Sequence, residues 1–163
     1  MKFEFNSENG IIKDKVTGER CAIITQTRMQ EILLRLSEIF QSGAKVIIFE
    51  ATKAAGERFA KEVAERVNFD GQQLLNTTVQ RFTDADLGKI EVVEANLEEG
   101  KVKIRIWDNF FAEIRNEEET YCNCIDGFVS GMYKQFLSKT PNIQKTKCIA
   151  KGDAYCEWHV APK

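Results

Sequence analysis

Residues 44–67 place Ile47, Ile48, Ala51, Ala55, Phe59, Val63 and Val67 on one face at helical spacing, held for about six turns. A helix of that length with a continuous apolar stripe must bury the stripe against another layer of structure. Val46 to Phe49 would also suit a short buried strand, but the persistence of the 3.6-residue period decides for helix. Just upstream, Met29, Ile32, Leu33, Leu36, Ile39 and Phe40 repeat the pattern. Thr27 with Gln30 has capping-box form, and Ser42 with Gly43 supplies a stop. Together these two helices carry more apolar surface than one side of a small domain covers, so a homodimer is expected.

The remaining chain switches period. Residues 1–5 alternate, Asn9-Gly10 signals a turn, and 11–16 and 19–24 suit further short strands. Asp70 suits the cap of a third helix, in which Leu75, Val79 and Phe82 share a side. Residues 90–95 and 101–107 predict a hairpin. In it Val102, Ile104 and Ile106 face one way, and Lys103, Arg105 and Trp107 face the other. Residues 110–114 suit a continuation of that strand after a break. Asn116 with Glu119 suits the start of a fourth helix reaching about residue 137, and 143–150 with 154–160 a closing hairpin. There is no repeat, linker or low-complexity tract in the 163 residues, so one domain over 1–163 is expected. Its class is α/β in the broad sense, α+β in detail, with helices packed on an antiparallel sheet.

Charge and cysteine usage narrow the function classes. The net charge of −2, with cations spread along the chain, supplies no basic face for nucleic acid. No apolar run approaches a membrane span, and the opening MKFEFNSENG lacks the apolar core of a secretory leader, so a cytoplasmic address is expected. Five cysteines, an odd number, argue against a disulfide framework.

Cys122, Cys148 and Cys156 are the residues that carry chemistry. Cys148 and Cys156 fall on the arms of the closing hairpin with Gly152 in its turn, and Cys122 on the first turns of the fourth helix. Three thiolates from two elements can pin a helix end to a hairpin around zinc; equally, three cysteines can pack as small hydrophobes. Cys124 lies roughly 200° around the helix from Cys122, and it and Cys21 are read as core. His159, opposite in parity to Cys156, is read as a surface residue. Gly127 and Gly131, four apart on one helix face, admit a close helix neighbour or leave room for a ligand. No nucleophile–base pair, phosphate loop or His-Glu-x-x-His pattern is present, and the reading leans away from an enzyme.

The stretches CNCIDGFVSG (122–131) and TKCIAKGDAYCEW (146–158) resemble the C-terminal signature of the 4-vinyl-reductase domain family, concentrated within 120–160. The resemblance implies a fold similar to small TRAPP tethering subunits, an apolar or aromatic small-molecule ligand, and a homodimer. It also implies a structural zinc held by Cys122, Cys148 and Cys156, as in the phenol sensors of that family. Their fourth ligand, a Glu, corresponds to Lys145, three residues before Cys148, so water, Asp126, Cys124 or another group would have to stand in. Trp107-Asp-Asn109 resembles the segment where those sensors place a ligand-contacting Trp, while their ligand-binding His has no counterpart. Residues 44–67, with Gly56, resemble the family's central helix. The expected ligand site is a cavity bounded by the second and fourth helices and the 101–107 strand, and its expected wall is Trp107, Phe110, Phe111, Gly127 and Gly131. Alternative readings are a component of a tetrapyrrole 4-vinyl reductase, which would need a partner reductase, and a scaffold subunit.

Overall fold

The computed structural model describes residues 3–15, 17–66, 71–113 and 121–163. Strands β1 (Phe3–Asn6), β2 (Ile11–Asp14) and β3 (Arg20–Cys21) form a small antiparallel sheet in that order. They are shorter than the alternation suggests, in part because Asp14 turns the chain. Its side chain accepts the Thr17 N–H at 3.0 Å and its carbonyl the Gly18 N–H at 2.7 Å. With so short a partner, β3 pairs only through Arg20 and Cys21.

Helix α1 (Gln26–Phe40) begins two residues earlier than expected. Thr25 takes extended backbone and its hydroxyl accepts the Arg28 N–H at 3.4 Å, so Thr25 rather than Thr27 is the cap. Gln41, at φ 48°, ends the helix by returning its N–H to the Ser37 carbonyl. Helix α2 (Gly43–Arg66) is the long helix the period predicts, but it buries Ala44, Ile48, Gly56, Ala60 and Val63 and leaves Ile47, Ala51 and Ala55 of the expected stripe exposed; α3 (Gly71–Asp84) follows. The proposed cap Asp70 and the proposed helix start at Asn116 and Glu119 lie outside the described residues. Buried Arg81 of α3 pairs with Asp14 and lies 5.1 Å from the centre of the Phe3 ring, tying the N-terminal sheet to the body.

Strands β4 (Lys89–Asn96) and β5 (Lys101–Trp107) form the predicted hairpin, with a bulge between Val92 and Glu94. The expected strand over 110–114 is instead a helical turn, α4 (Phe110–Glu113). Asp108 at φ 50° breaks the strand; Asn109 then accepts the Phe111 N–H on its side chain (3.1 Å) and the Ala112 N–H on its carbonyl (2.9 Å). Helix α5 (Asn123–Leu137) follows, then β6 (Pro141–Lys147), a 3-10 turn over Ile149–Lys151, and β7 (Cys156–Pro162). The second sheet runs β4-β5-β7-β6, every pair antiparallel. Its inner face presents Ile104, Ile106, Trp158 and Val160 to Phe82, Ile125 and Tyr133 on the helices.

Helix α5 also packs on α2. Asn123 bonds the Lys45 carbonyl at 3.3 Å and Lys134 pairs with Glu57 at 3.0 Å, separations of 78 and 77 residues. A constant offset means that the two helices run in the same direction. Glycine makes their approach feasible: a Cβ on Gly131 would stand 2.0 Å from the Lys53 carbonyl oxygen, and one on Gly127 2.3 Å from that of Phe49. Leu33 of α1 and Ile48 of α2 meet Tyr121 and Cys124 in a second apolar cluster.

Candidate thiol cluster and apolar cavity

Cys122 is the N-cap of α5, Cys148 precedes the 3-10 turn just beyond β6, and Cys156 opens β7. Their Sγ atoms lie within 4.8 Å of one another, with Cys122 and Cys148 at 3.6 Å, and all three residues are buried. Tetrahedral thiolates at a Zn–S distance of about 2.3 Å stand about 3.8 Å apart, so the trio can hold a metal ion. The hairpin is braced for this. Asp153 accepts the Cys148 N–H at 2.7 Å, and the Ile149 N–H points to Cys156 Sγ at 3.4 Å. Hydrogen bonding by Cys122 and the Ile149 N–H lowers the Cys156 pKa although burial raises it. Cys122, on the donating side of that pair and buried, is pushed up, with Lys145 working against the rise.

The surroundings of the trio include the side chains the sequence suggested as a fourth ligand. Cys124 points away, into the cluster with Leu33 and Ile48, and burial followed by the nearby Asp126 carboxylate pushes its thiol up to about 12. Asp126 accepts the Trp158 indole N–H at 2.5 Å. Burial raises its pKa, while Lys145 and the indole bond oppose the rise. Lys145 pairs with Trp158 in register and shares the inward parity of Ile143, so its charge faces the helix side of the sheet. Asn109, fully buried beside the cluster, was not singled out as a site residue in the sequence; its place in the Trp-Asp-Asn break after β5 is the only local signal.

A separate cavity of about 110 Å³ lies between α3, α5 and the inner face of the sheet. Leu75, Val79 and Phe82 form its α3 wall, Val129 and Met132 its α5 wall, and Ile104 part of its floor. Tyr133 also lines it, but its hydroxyl is committed to the Gly100 carbonyl at 2.7 Å. The expected boundary used α2 with α5; α3 takes the place of α2, because the glycines of α5 draw α2 into backbone contact.

The five expected ligand-wall residues fall in three places. Gly127 and Gly131 sit in the α2–α5 contact. Phe110 and Phe111, edge to face at 5.3 Å, line an open cleft of about 880 Å³ that they share with Phe3, Ile12 and Met29. Trp107 lies on the outer face of the sheet, 5.4 Å from the Tyr155 ring and with Lys89 Nζ 6.0 Å from its ring centre. His159 is on that outer face too, 3.4 Å from Glu157.

An antiparallel sheet backed by helices, with this order of elements, defines an α+β domain with the fold of 4-vinyl-reductase proteins and TRAPP subunits. The chain superposes on the phenol-responsive sensory domain of the transcription activator PoxR, solved with phenol, with a TM-score of 0.83 and 14% identity, over 99% of this chain and 85% of that one. A vinyl-4-reductase family protein from Methanocaldococcus jannaschii gives 0.57 at 15% identity, over 88% of this chain and 84% of that one. TRAPP subunit 3 from Naegleria fowleri, covalently bound to palmitic acid, gives 0.52 at 13% identity, over 85% and 97%. At such identities the likeness is one of fold. In sequence, the chain is 28% identical over 119 residues to an uncharacterized protein of Methanocaldococcus jannaschii, covering 72% of this chain and 65% of that protein's length. No family model matches the sequence. Among the described residues no helix is long and apolar enough to cross a membrane.

Proposed function

We propose that this chain is a small-molecule-binding domain of sensory type, whose ligand is an apolar molecule about the size of one aromatic ring. The observation that carries the reading is the cavity of about 110 Å³ with its apolar walls. Apolar cavities near 150 Å³ stay dry and take up benzene, so a void of this kind is a receptor for a compact hydrocarbon. The superposition on a domain solved with phenol supports the same class of role. A tetrapyrrole is several times larger than this void, so the alternative of a tetrapyrrole reductase component would place its substrate elsewhere, in the open cleft beside Phe110 and Phe111. In this reading Cys122, Cys148 and Cys156 hold zinc as a structural clasp outside the ligand site, and the working unit is a homodimer.

Titration of the protein with toluene, followed by ligand-observed NMR in sealed tubes, tests the cavity. Val79→Phe fills the space from α3 and should lower toluene affinity at least about tenfold while the protein stays folded. Undiminished binding to that variant would move the ligand elsewhere.

A further inference from the structure

Thr78 stands on the cavity-facing side of α3, 4% exposed, and its Oγ1 is buried with no hydrogen-bond partner. A threonine in a helix ordinarily spends its hydroxyl on a carbonyl one turn back, and this protein contains both outcomes. Thr52 donates to the Ile48 carbonyl at 2.8 Å and Thr83 to the Val79 carbonyl at 3.3 Å. Thr78 makes no such bond, although it shares a helix with Thr83. A buried hydroxyl left unpaired costs free energy, and valine would fill the same shape without that cost. The other hydroxyl of the lining, Tyr133, is already bound to Gly100.

We infer that Thr78 is the specificity determinant of the cavity: with no bond to break, its hydroxyl turns about the Cα–Cβ bond from its buried position and supplies a single hydrogen bond to a neutral, monocyclic-sized ligand carrying one small polar group, a hydroxyl or a carbonyl. The inference rests on the cavity being the ligand site and names the class of molecule it takes. No charged side chain lines the cavity, so an ionised ligand would be desolvated without a counter-charge. A ligand with two polar groups would leave one of them facing hydrocarbon. A hydroxyl can accept from or donate to Thr78, which suits either polar group.

Toluene and phenol, similar in shape and different by one hydroxyl, test it against the wild type, Thr78→Val and Thr78→Ser. Phenol should bind the wild type tighter than toluene does. Thr78→Val should weaken phenol roughly three- to tenfold, leave toluene unchanged or tighter, and raise the melting temperature of the free protein. Thr78→Ser should restore the preference for phenol. Equal effects of Thr78→Val on both probes, or a lower melting temperature with no change in preference, would show that the hydroxyl serves the fold, and would overturn the inference while leaving an apolar site in place. Absence of binding by either probe to any of the three proteins would remove both the inference and the reading beneath it.

Discussion

At the scale of single residues, the side chain that is missing matters as much as the one present. Gly131 has the Lys53 carbonyl oxygen where its Cβ would be, and backbone cannot yield as a flexible side chain does. Gly131→Ala should therefore destabilise the fold by about 1–3 kcal/mol in denaturant titration, the usual cost of overpacking. Gly10, with open space around it, has only its φ of 68° to protect, and Gly10→Ala should cost less. An equal loss at the two positions would mean that the helix contact is looser than it looks. Trp158 offers a second measure. Its indole N–H satisfies Asp126 inside the core, so Trp158→Phe removes packing and leaves a buried carboxylate short of a donor. We expect that change to cost about 2–4 kcal/mol in the same titration. A loss under about 1 kcal/mol would show that water reaches Asp126.

Among the elements, the thiol cluster has a mechanical position: it joins the N-cap of α5 to both arms of the closing hairpin. If zinc occupies it, metal affinity becomes folding free energy. A strong chelator should then lower the melting temperature by at least about 5 °C. Cys148→Ser should melt near the chelated wild type and no longer respond to chelator. Chelator-independent melting, with well under one zinc per chain by elemental mass spectrometry, would make the three cysteines packing groups only. The elements themselves were legible where a period ran unbroken. Helix α2 and the β4–β5 hairpin follow from their periods of 3.6 and 2. Period 2 also put Trp107 opposite Ile104 and Ile106, the side on which the structure has it, whereas the similarity to phenol sensors suggested a ligand wall. Residues 110–113 defeated the pattern because a positive-φ Asp108 and the Asn109 side chain override the strand preference of Phe110 and Phe111. The trio Cys122, Cys148 and Cys156 was visible as spacing, but its closure to within 4.8 Å depends on how the start of α5 packs against the closing hairpin, with Cys148 lying 26 residues beyond Cys122.

For the whole molecule, the open question is what covers the α1–α2 side. Ile32, Ile39 and Phe40 of α1 and Val46 and Ile47 of α2 are between 42% and 65% exposed, a concentration of large apolar groups beside one interhelical turn. A second copy of the chain would bury them. Analytical ultracentrifugation at micromolar protein should give twice the 18.6 kDa chain mass, and the double change Ile39→Glu with Val46→Glu should give the monomer. A wild type sedimenting at 18.6 kDa would end the dimer proposal. The cavity was harder to foresee than this surface. The apolar side of α3 was apparent from Leu75, Val79 and Phe82, but whether α2 or α3 walls the void is set by how closely Gly127 and Gly131 let α2 approach.

The shared direction of α2 and α5 has an electrostatic consequence. Their first turns lie side by side, Asn123 against Lys45, so the positive ends of two macrodipoles emerge at the same end of the molecule. Each end is equivalent to roughly half an elementary charge, and Cys122 sits directly on one of them. Aligned dipoles in contact repel, and negative charge on the sulfurs at that end, as thiolates holding a metal would carry, would offset the repulsion. Any charge the buried sulfurs take on is thus partly neutralised by the peptide backbone itself, a compensation that dissolved salt screens far less than it would a pair of charges on the surface.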